Sequence, residues 1–281
     1  MIVIDEVKIM KAHVRMIKSK KQTIALVPTM GYLHEGHVSL MHKARNLADH
    51  LIISIFVNPT QFGVGEDLDK YPRDLERDKK LAAHARVECI FHPTPEQMYP
   101  KGYATYIDVE GITTGLCGAS RPTHFRGVST VCAKLFNIIE PDVAVFGEKD
   151  FQQLCVIKRM VEDLNMNVQI VPHATVREDD GLAMSSRNTY LSPQDRQNAT
   201  VLYKSLLHAR GLCQEGELNA QAVREAAVAM IESTPGAVID YIEIVNPHTL
   251  QPLDTIIPGA VMALAVKFGR TRLIDNMVIA A

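Results

Sequence analysis

Two short apolar runs, Thr23 to Val27 and Leu51 to Val57, constrain this chain more than any other feature. Neither alternates polar with apolar residues, which is the mark of a strand buried on both faces. Between them, Gly36 to His50 sets Val38, Met41, Ala44, Leu47 and Ala48 at the spacing of one helical face. A buried strand, an amphipathic helix and a second buried strand make a βαβ unit, with parallel strands and a right-handed crossover.

The pattern repeats. Asp74 to Arg86 predicts a charged helix, Val87 to His92 a strand, and the Pro/Gly/Tyr-rich stretch Pro93 to Gly102 a loop. Thr105 to Val109 alternates weakly, as a strand would. Gly127 to Glu140 predicts a helix, Val143 to Phe146 a strand, Phe151 to Leu164 a helix, and Val168 to Val171 a strand stopped by Pro172. Strands alternating with helices imply an α/β fold with a doubly wound, mostly parallel, Rossmann-like sheet. After residue 175 the order changes. Pro193 to Gly211 and Leu218 to Ser233 predict helices, and Val238 to Val245, Val261 to Phe268 and Thr271 to Ile279 predict strands, the last two joined by a hairpin at Gly269-Arg270. The expected organisation is a domain over 1–175 and a smaller C-terminal α+β domain over 176–281.

At 281 residues, 47% hydrophobic and 22% charged, the chain has the composition of a globular protein with a sizeable core. A net charge of -2 gives no support to nucleic acid or an anionic membrane as a bulk partner, so an anionic ligand must be met by local cations. The five cysteines are odd in number and form no CxxC, which predicts buried thiols in a reducing cytoplasm. Met1 to Met10 carries Asp5 and Glu6 and does not resemble a signal peptide. No apolar run approaches the roughly 20 residues that span a bilayer. A cytoplasmic location is expected.

Chemistry enters directly after the first buried strand, where Val27-Pro28-Thr29-Met30-Gly31 leads into His34-Glu35-Gly36-His37. Backbone N–H groups at a helix start are unpaired and attract phosphate. His34 and His37 share a face of the first turn, and Gly36 omits a side chain where a nucleotide would approach. Two imidazoles there can donate to phosphate oxygens as charge builds up in adenylyl transfer. The carboxyl end of a parallel strand is where such sheets bind nucleotides, so the tetrapeptide points to ATP. Taken alone it also fits a pair of surface histidines. Zinc fits less well, because the spacing is not HExxH and no third ligand is evident.

Gly147-Glu148-Lys149-Asp150, followed by Gln152 and Gln153, occupies a second strand-to-helix junction, with Lys149 a point charge for phosphate. Met184-Ser185-Ser186-Arg187-Asn188 offers two hydroxyls and a guanidinium near the domain boundary, either a phosphate clamp or an ordinary capped linker. Asn58-Pro59-Thr60-Gln61-Phe62 follows the second buried strand, and Gln61 supplies a donor and an acceptor for a small polar substrate. Arg121, His124 and Arg126 add cations at another helix start, fitting surface or anion-binding roles equally. Gly63-Val64-Gly65 lacks a following GxxG spacing and carries no nucleotide role.

The ordered set Pro28 to His37, Phe56 to Phe62, His124 to Gly127, Phe146 to Gln153 and Met184 to Asn188 resembles the pantothenate synthetase family, within the HxGH nucleotidylyltransferase superfamily. The resemblance covers essentially the whole chain. It implies an ATP-dependent ligase that joins pantoate to β-alanine through a pantoyl adenylate, releasing AMP and pyrophosphate. It implies ATP binding by Met30, Gly31, Tyr32, Leu33, His34, Glu35, Gly36 and His37, by Gly147, Glu148, Lys149 and Asp150, by the backbone of Val176, and by Met184, Ser185, Ser186 and Arg187. His37, as proton donor, with His34 and Lys149, would be catalytic. Gln61 and Gln153 would bind pantoate, and Gln61 β-alanine as well. No Asp/Glu cluster suggests a protein cage for a metal, so Mg²⁺ is expected to be held mainly by the ATP phosphates. A homodimer is also implied, and the second domain is expected to act as a lid that excludes water.

Overall fold

The computed structural model describes residues 1–63 and 65–280; Val64, the centre of the Gly63-Val64-Gly65 triplet, lies outside the described residues. In chain order the elements are β1 (Ile2–Ile4), α1 (Val7–Ser19), β2 (Ile24–Thr29), α2 (Glu35–Arg45), β3 (His50–Ile55), α3 (Leu75–His84), β4 (Cys89–Phe91), α4 (Pro95–Met98), α5 (Cys117–Ser120), α6 (His124–Ile139), β5 (Val143–Gly147), α7 (Phe151–Asp163) and β6 (Gln169–His173). There follow α8 (Pro193–Asn198), α9 (Val201–Gln214), α10 (Ala220–Glu232), β7 (Ala237–Val245), β8 (Val261–Phe268) and β9 (Thr271–Val278). The chain divides into two compact units. The first comprises Met1–Val109, Arg121–Glu148 and Gln153–Ala174, and the second Glu110–Ser120, Lys149–Gln152 and the chain from Thr175 onward.

The first unit is built on one parallel sheet in the order β1-β4-β3-β2-β5-β6. The period of two splits each apolar run between the faces of the sheet. Ile24 and Leu26 of β2 join a core with Met10, Val14 and Ile17 of α1, Val128 and Leu135 of α6, and Leu154 and Ile157 of α7. Ala25 and Val27 face the other way, into a core with Val38, Met41 and Ala44 of α2 and Ala82 of α3. The doubly wound reading of the sequence is thus what the molecule adopts. From β2 the chain runs to β3 and β4 on one side, whereas β5 and β6 lie on the other. The order therefore reverses between β2 and β5, and the carboxyl ends of these strands define the switch point at which such sheets bind ligands. Pairing of β2 with β5 is confined to Ala25↔Val143 and Leu26↔Ala144. Beyond it β2 continues to Thr29 and β5 to Gly147, so Pro28 has no β5 ladder bond to forfeit.

Three local expectations differ from the structure. Thr105 to Val109 is not a strand: the N–H of Ile107 bonds to Thr130 Oγ1 at 3.0 Å, and Ile107 and Val109 pack on the core. β6 passes through Pro172 to His173, which an edge strand tolerates because its outer side needs no ladder donor. The helix expected over Pro193 to Gly211 is two helices, α8 and α9, interrupted at Ala199-Thr200. The sequence pattern does not predict β1, at the far edge of the sheet.

The second unit carries an antiparallel sheet β7-β8-β9 with the β8–β9 hairpin at Gly269-Arg270. Val201, Leu202 and Leu206 of α9 and Val223, Ala227 and Ile231 of α10 pack on Ile242, Met262, Leu264 and Val266 of that sheet. Arg177 holds the buried Asp275 of β9 with two hydrogen bonds of 2.6 and 2.9 Å. All five cysteines are free. Burial pushes the Cys89 and Cys132 thiols up to about 12, so neither forms a thiolate near neutral pH. Among the described residues no helix is long and apolar enough to cross a membrane.

Candidate active site

In the first unit, two of the predicted clusters leave β2 and β3 at the switch-point edge. His34 is the N-cap of α2 in extended backbone, with φ -141° and ψ 174°. Its Nδ1 accepts the Gly36 N–H at 3.2 Å, and His37 Nδ1 accepts the His34 N–H at 3.3 Å. This is a reciprocal capping box made of histidines instead of the usual Ser and Glu. Accepting at Nδ1 fixes the neutral tautomer with its proton on Nε2, so each ring presents an Nε2–H. The rings lie 4.0 Å apart, centroid to centroid. On the same helix, Ser39 Oγ is 2.6 Å from Nε2 of His173 at the end of β6.

The turn between β2 and α2 is unusual. Gly31 has φ +84° and Tyr32 φ +50°, two successive left-handed residues. A Cβ on Gly31 would stand 2.9 Å from Ile55 Cγ2 and 3.0 Å from Asp78 Oδ2, so glycine is required for space as well as for conformation. Leu33 is fully buried. Asp78 of α3 accepts the N–H groups of Tyr32 at 2.8 Å and of Leu33 at 2.7 Å. Burial pushes its carboxyl up, against the opposing pull of those two N–H donors.

Gln61 sits on a one-turn 3-10 helix, Pro59–Gln61, and is buried. Its Nε2 lies 3.1 Å from Met30 Sδ, which joins the second predicted cluster to the first. Its Oε1 accepts from Asn58 Nδ2 at 3.1 Å. Asn58 is the hub: Nδ2 also donates to the Gly127 carbonyl at 3.1 Å, and Oδ1 accepts from the Tyr99 hydroxyl at 2.8 Å. The backbone carbonyl of Gln61 accepts from Arg121 Nη2 at 3.2 Å and His124 Nδ1 at 2.9 Å. Two of the three cations left open by the sequence thus anchor Gln61. The third, Arg126, is half-exposed, pairing with Asp108 at 3.5 Å and covering the Tyr106 ring.

Glu66 completes the anchor by binding Arg121 through both oxygens, one at 2.7 Å. Burial pushes the Glu66 carboxyl up. The Arg121 hydrogen bonds and charge, with smaller help from the Gly63 N–H and His124, outweigh that and hold it below the usual glutamate range. A depressed carboxylate contributes stability that is present above the unfolded pKa and is lost as pH falls through the folded one. Replacement of Glu66 by Gln is therefore expected to lower the melting temperature at neutral pH. Its melting temperature should also fall less than that of the wild type on acidification below about pH 4.3, the ordinary glutamate pKa; parallel melting curves at both pH values check this.

Gly147 ends β5 at the same edge, and the chain continues into the 3-10 turn Glu148–Asp150. Glu148 and Gln153 belong to the first unit, Lys149 and Asp150 to the second. Of the adjacent glutamines, Gln152 is buried and bonds to Ile112 O, Gly115 O and Cys117 N, a structural tie within the second unit. Gln153 is half-buried on the first turn of α7. The Lys149 carbonyl accepts from Asn276 Nδ2 at 2.9 Å.

Also within the second unit, the Val176 carbonyl accepts the Met184 N–H at 3.0 Å, which closes a small hairpin and brings these two predicted residues together. Ser185 then caps the 3-10 helix Ser186–Tyr190 by accepting the Arg187 N–H at 3.2 Å. Asn188 Nδ2 donates to Glu178 Oε1 at 2.7 Å and to Ala183 O at 3.1 Å, bracing the segment. Asn58 and Asp78 are the residues whose importance sequence reasoning missed. Asn58 stands in a motif already singled out, whereas Asp78 lies in a helix that reads only as charged surface.

The fold and the capped histidine pair define a Rossmann-like α/β protein with its candidate site at the switch point. Comparison with known proteins narrows this. The family model for pantoate-beta-alanine ligase matches residues 2–278. A pantothenate synthetase of Acetivibrio thermocellus is 56% identical over 277 residues, covering 99% of each chain. The crystal structure of a pantothenate synthetase from Thermus thermophilus superposes with a TM-score of 0.95 at 45% identity, covering 100% of both chains. A pantoate-beta-alanine ligase from Francisella tularensis, complexed with beta-gamma ATP and beta-alanine, is 34% identical with a TM-score of 0.82, covering 99% of this chain and 98% of that one. The chain belongs to the pantoate–β-alanine ligase family and is an enzyme of the ligase class.

Proposed function

We propose that the enzyme condenses pantoate with β-alanine at the expense of ATP, forming pantothenate through a pantoyl adenylate and releasing pyrophosphate and AMP. The observation that carries this reading is the histidine capping box at the switch point, with two Nε2–H donors at a helix start and Gln61 alongside.

A carboxylate is a poor acyl donor. In the first step a pantoate oxygen attacks the α-phosphate of ATP, and the bond from that phosphorus to pyrophosphate breaks. Negative charge grows on phosphate oxygens, and donors aimed there stabilise it selectively. His37, the proposed proton donor, and His34 supply two such donors, Lys149 a point charge, and Ser185, Ser186 and Arg187 further phosphate ligands. Met30 to His37, Gly147 to Asp150 and Met184 to Arg187 are assigned to ATP, with Asp150 at the ribose and the Val176 backbone at adenine. Gln61 and Gln153 orient pantoate, and Gln61 also serves β-alanine. In the second step the neutral amine of β-alanine attacks the acyl carbon and AMP leaves.

Among the described residues no three His, Cys, Asp or Glu side chains group as a metal site. In this reading Mg²⁺ is held mainly by the phosphates of ATP, where it would neutralise charge on the triphosphate. The same reading has the enzyme act as a cytoplasmic homodimer.

The test is AMP release with each substrate omitted in turn. Multiple turnovers of AMP that require both pantoate and β-alanine are expected. AMP formed with no need for β-alanine, or with other acids in place of pantoate, would contradict the assignment.

A further inference from the structure

Asp78 is 1% exposed and lies at the fourth position of α3. Burying a carboxylate is unfavourable unless it is compensated. Here each oxygen takes one backbone donor: Oδ2 the Tyr32 N–H and Oδ1 the Leu33 N–H. The neighbouring Arg77 stands over the Tyr32 ring, its guanidinium carbon 4.9 Å from the ring centroid. α3 thus grips the segment that enters the histidine cap, by its backbone and by its aromatic ring.

The grip has something to hold. A non-glycine residue in the left-handed region is strained, and such strain persists only where surroundings over-determine it. Tyr32 is in that region, directly after a left-handed Gly31. Met30, which touches Gln61, precedes this pair, and Leu33 connects it to His34. The turn therefore sets the relative placement of Met30 and the two imidazoles.

We propose that Asp78 is a positioning residue for adenylate formation, holding the Gly31–Leu33 turn in its left-handed form so that His34 and His37 meet the phosphate in register. This deepens the adenylate reading above and rests on it. It acts through the two N–H groups it accepts.

The test uses Asp78→Asn, which keeps the shape but offers one acceptor oxygen and turns an NH2 donor against the second N–H. Pantoate-dependent exchange of labelled pyrophosphate into ATP is measured at a temperature where circular dichroism shows the variant fully folded. The expected result is a fall in the exchange rate constant of about 10²-fold, the cost of a displacement near 1 Å at a reacting centre. KM for pantoate should change by less than about threefold, because the lost interaction serves the transition state. Asp78→Ser, which removes the brace with a small polar group, gives the same split if the asparagine variant does not fold. A lowered melting temperature with wild-type exchange per folded molecule would overturn the proposal, as would failure of both variants to fold. Exchange by the wild-type enzyme without pantoate would instead overturn the adenylate reading, so the two failures are told apart.

Discussion

Replacement of His37 by asparagine is expected to lower pantoate-dependent pyrophosphate release by about 10²–10³-fold, the range found when one oxyanion donor is removed. Asparagine is the informative choice. His37 has two tasks: its Nδ1 accepts the His34 N–H, and its Nε2–H is the proposed phosphate donor. Loss of a cap costs about 1 kcal/mol. Alanine removes both functions and mixes them. The Oδ1 of asparagine stands where Nδ1 stands, so the cap is retained while the distal donor disappears. The expected result is a near-normal melting temperature with the large loss of rate. His37→Ala should lose rate to a similar extent and melt lower. If His37→Asn kept near-normal pyrophosphate release, the imidazole would be a cap and nothing more, and the catalytic assignment would fall.

The second large effect is expected at Gly127. A Cβ there would stand 2.4 Å from the Thr60 carbonyl oxygen, 2.5 Å from its carbon and 2.6 Å from Gln61 Cα. All three are backbone atoms and cannot swing aside. Alanine gains up to about 1 kcal/mol over glycine in a helix interior, but overpacking of a rigid contact costs about 1–3 kcal/mol. The clash therefore outweighs the gain. Either α6 or the Pro59–Gln61 turn must move, and the Asn58 bond to the Gly127 carbonyl stretches with it. Gly127→Ala is expected to lower the melting temperature by several degrees and to raise KM for pantoate by about tenfold, as a displaced Gln61 loses a hydrogen bond. Thermal melts and pantoate saturation curves check the two effects. A more stable variant with unchanged KM would show that Gln61 does not depend on this contact.

The parts of this molecule legible in the sequence are those encoded by local pattern. Thr23 to Val27 and Leu51 to Val57 are apolar except for Thr23 and Ser54, because α1 and α6 cover one face of β2 and β3 while α2 and α3 cover the other. His34 and Gln61 were visible because each directly follows such a run, and the end of a buried parallel strand is a ligand-facing place. What could not be read depends on contacts between distant segments. Asp78 reads as one charge among many in Asp74 to Arg86, yet its partners lie in the turn after β2. The dual role of Asn58 requires Gly127 and Tyr99 to be brought beside it. Pro172 has the local signal of a strand end, and only the position of β6 at the sheet edge makes it harmless.

The central claim is that the carboxylate of pantoate attacks the α-phosphate of ATP. Pantoate labelled with ¹⁸O in its carboxylate, turned over with ATP and β-alanine, tests it most directly by mass spectrometry of the products. The predicted result is one ¹⁸O in AMP and none in pyrophosphate, because the acyl–oxygen bond breaks in the second step and the labelled oxygen leaves with phosphorus. Unlabelled AMP, or label in pyrophosphate, would contradict the account.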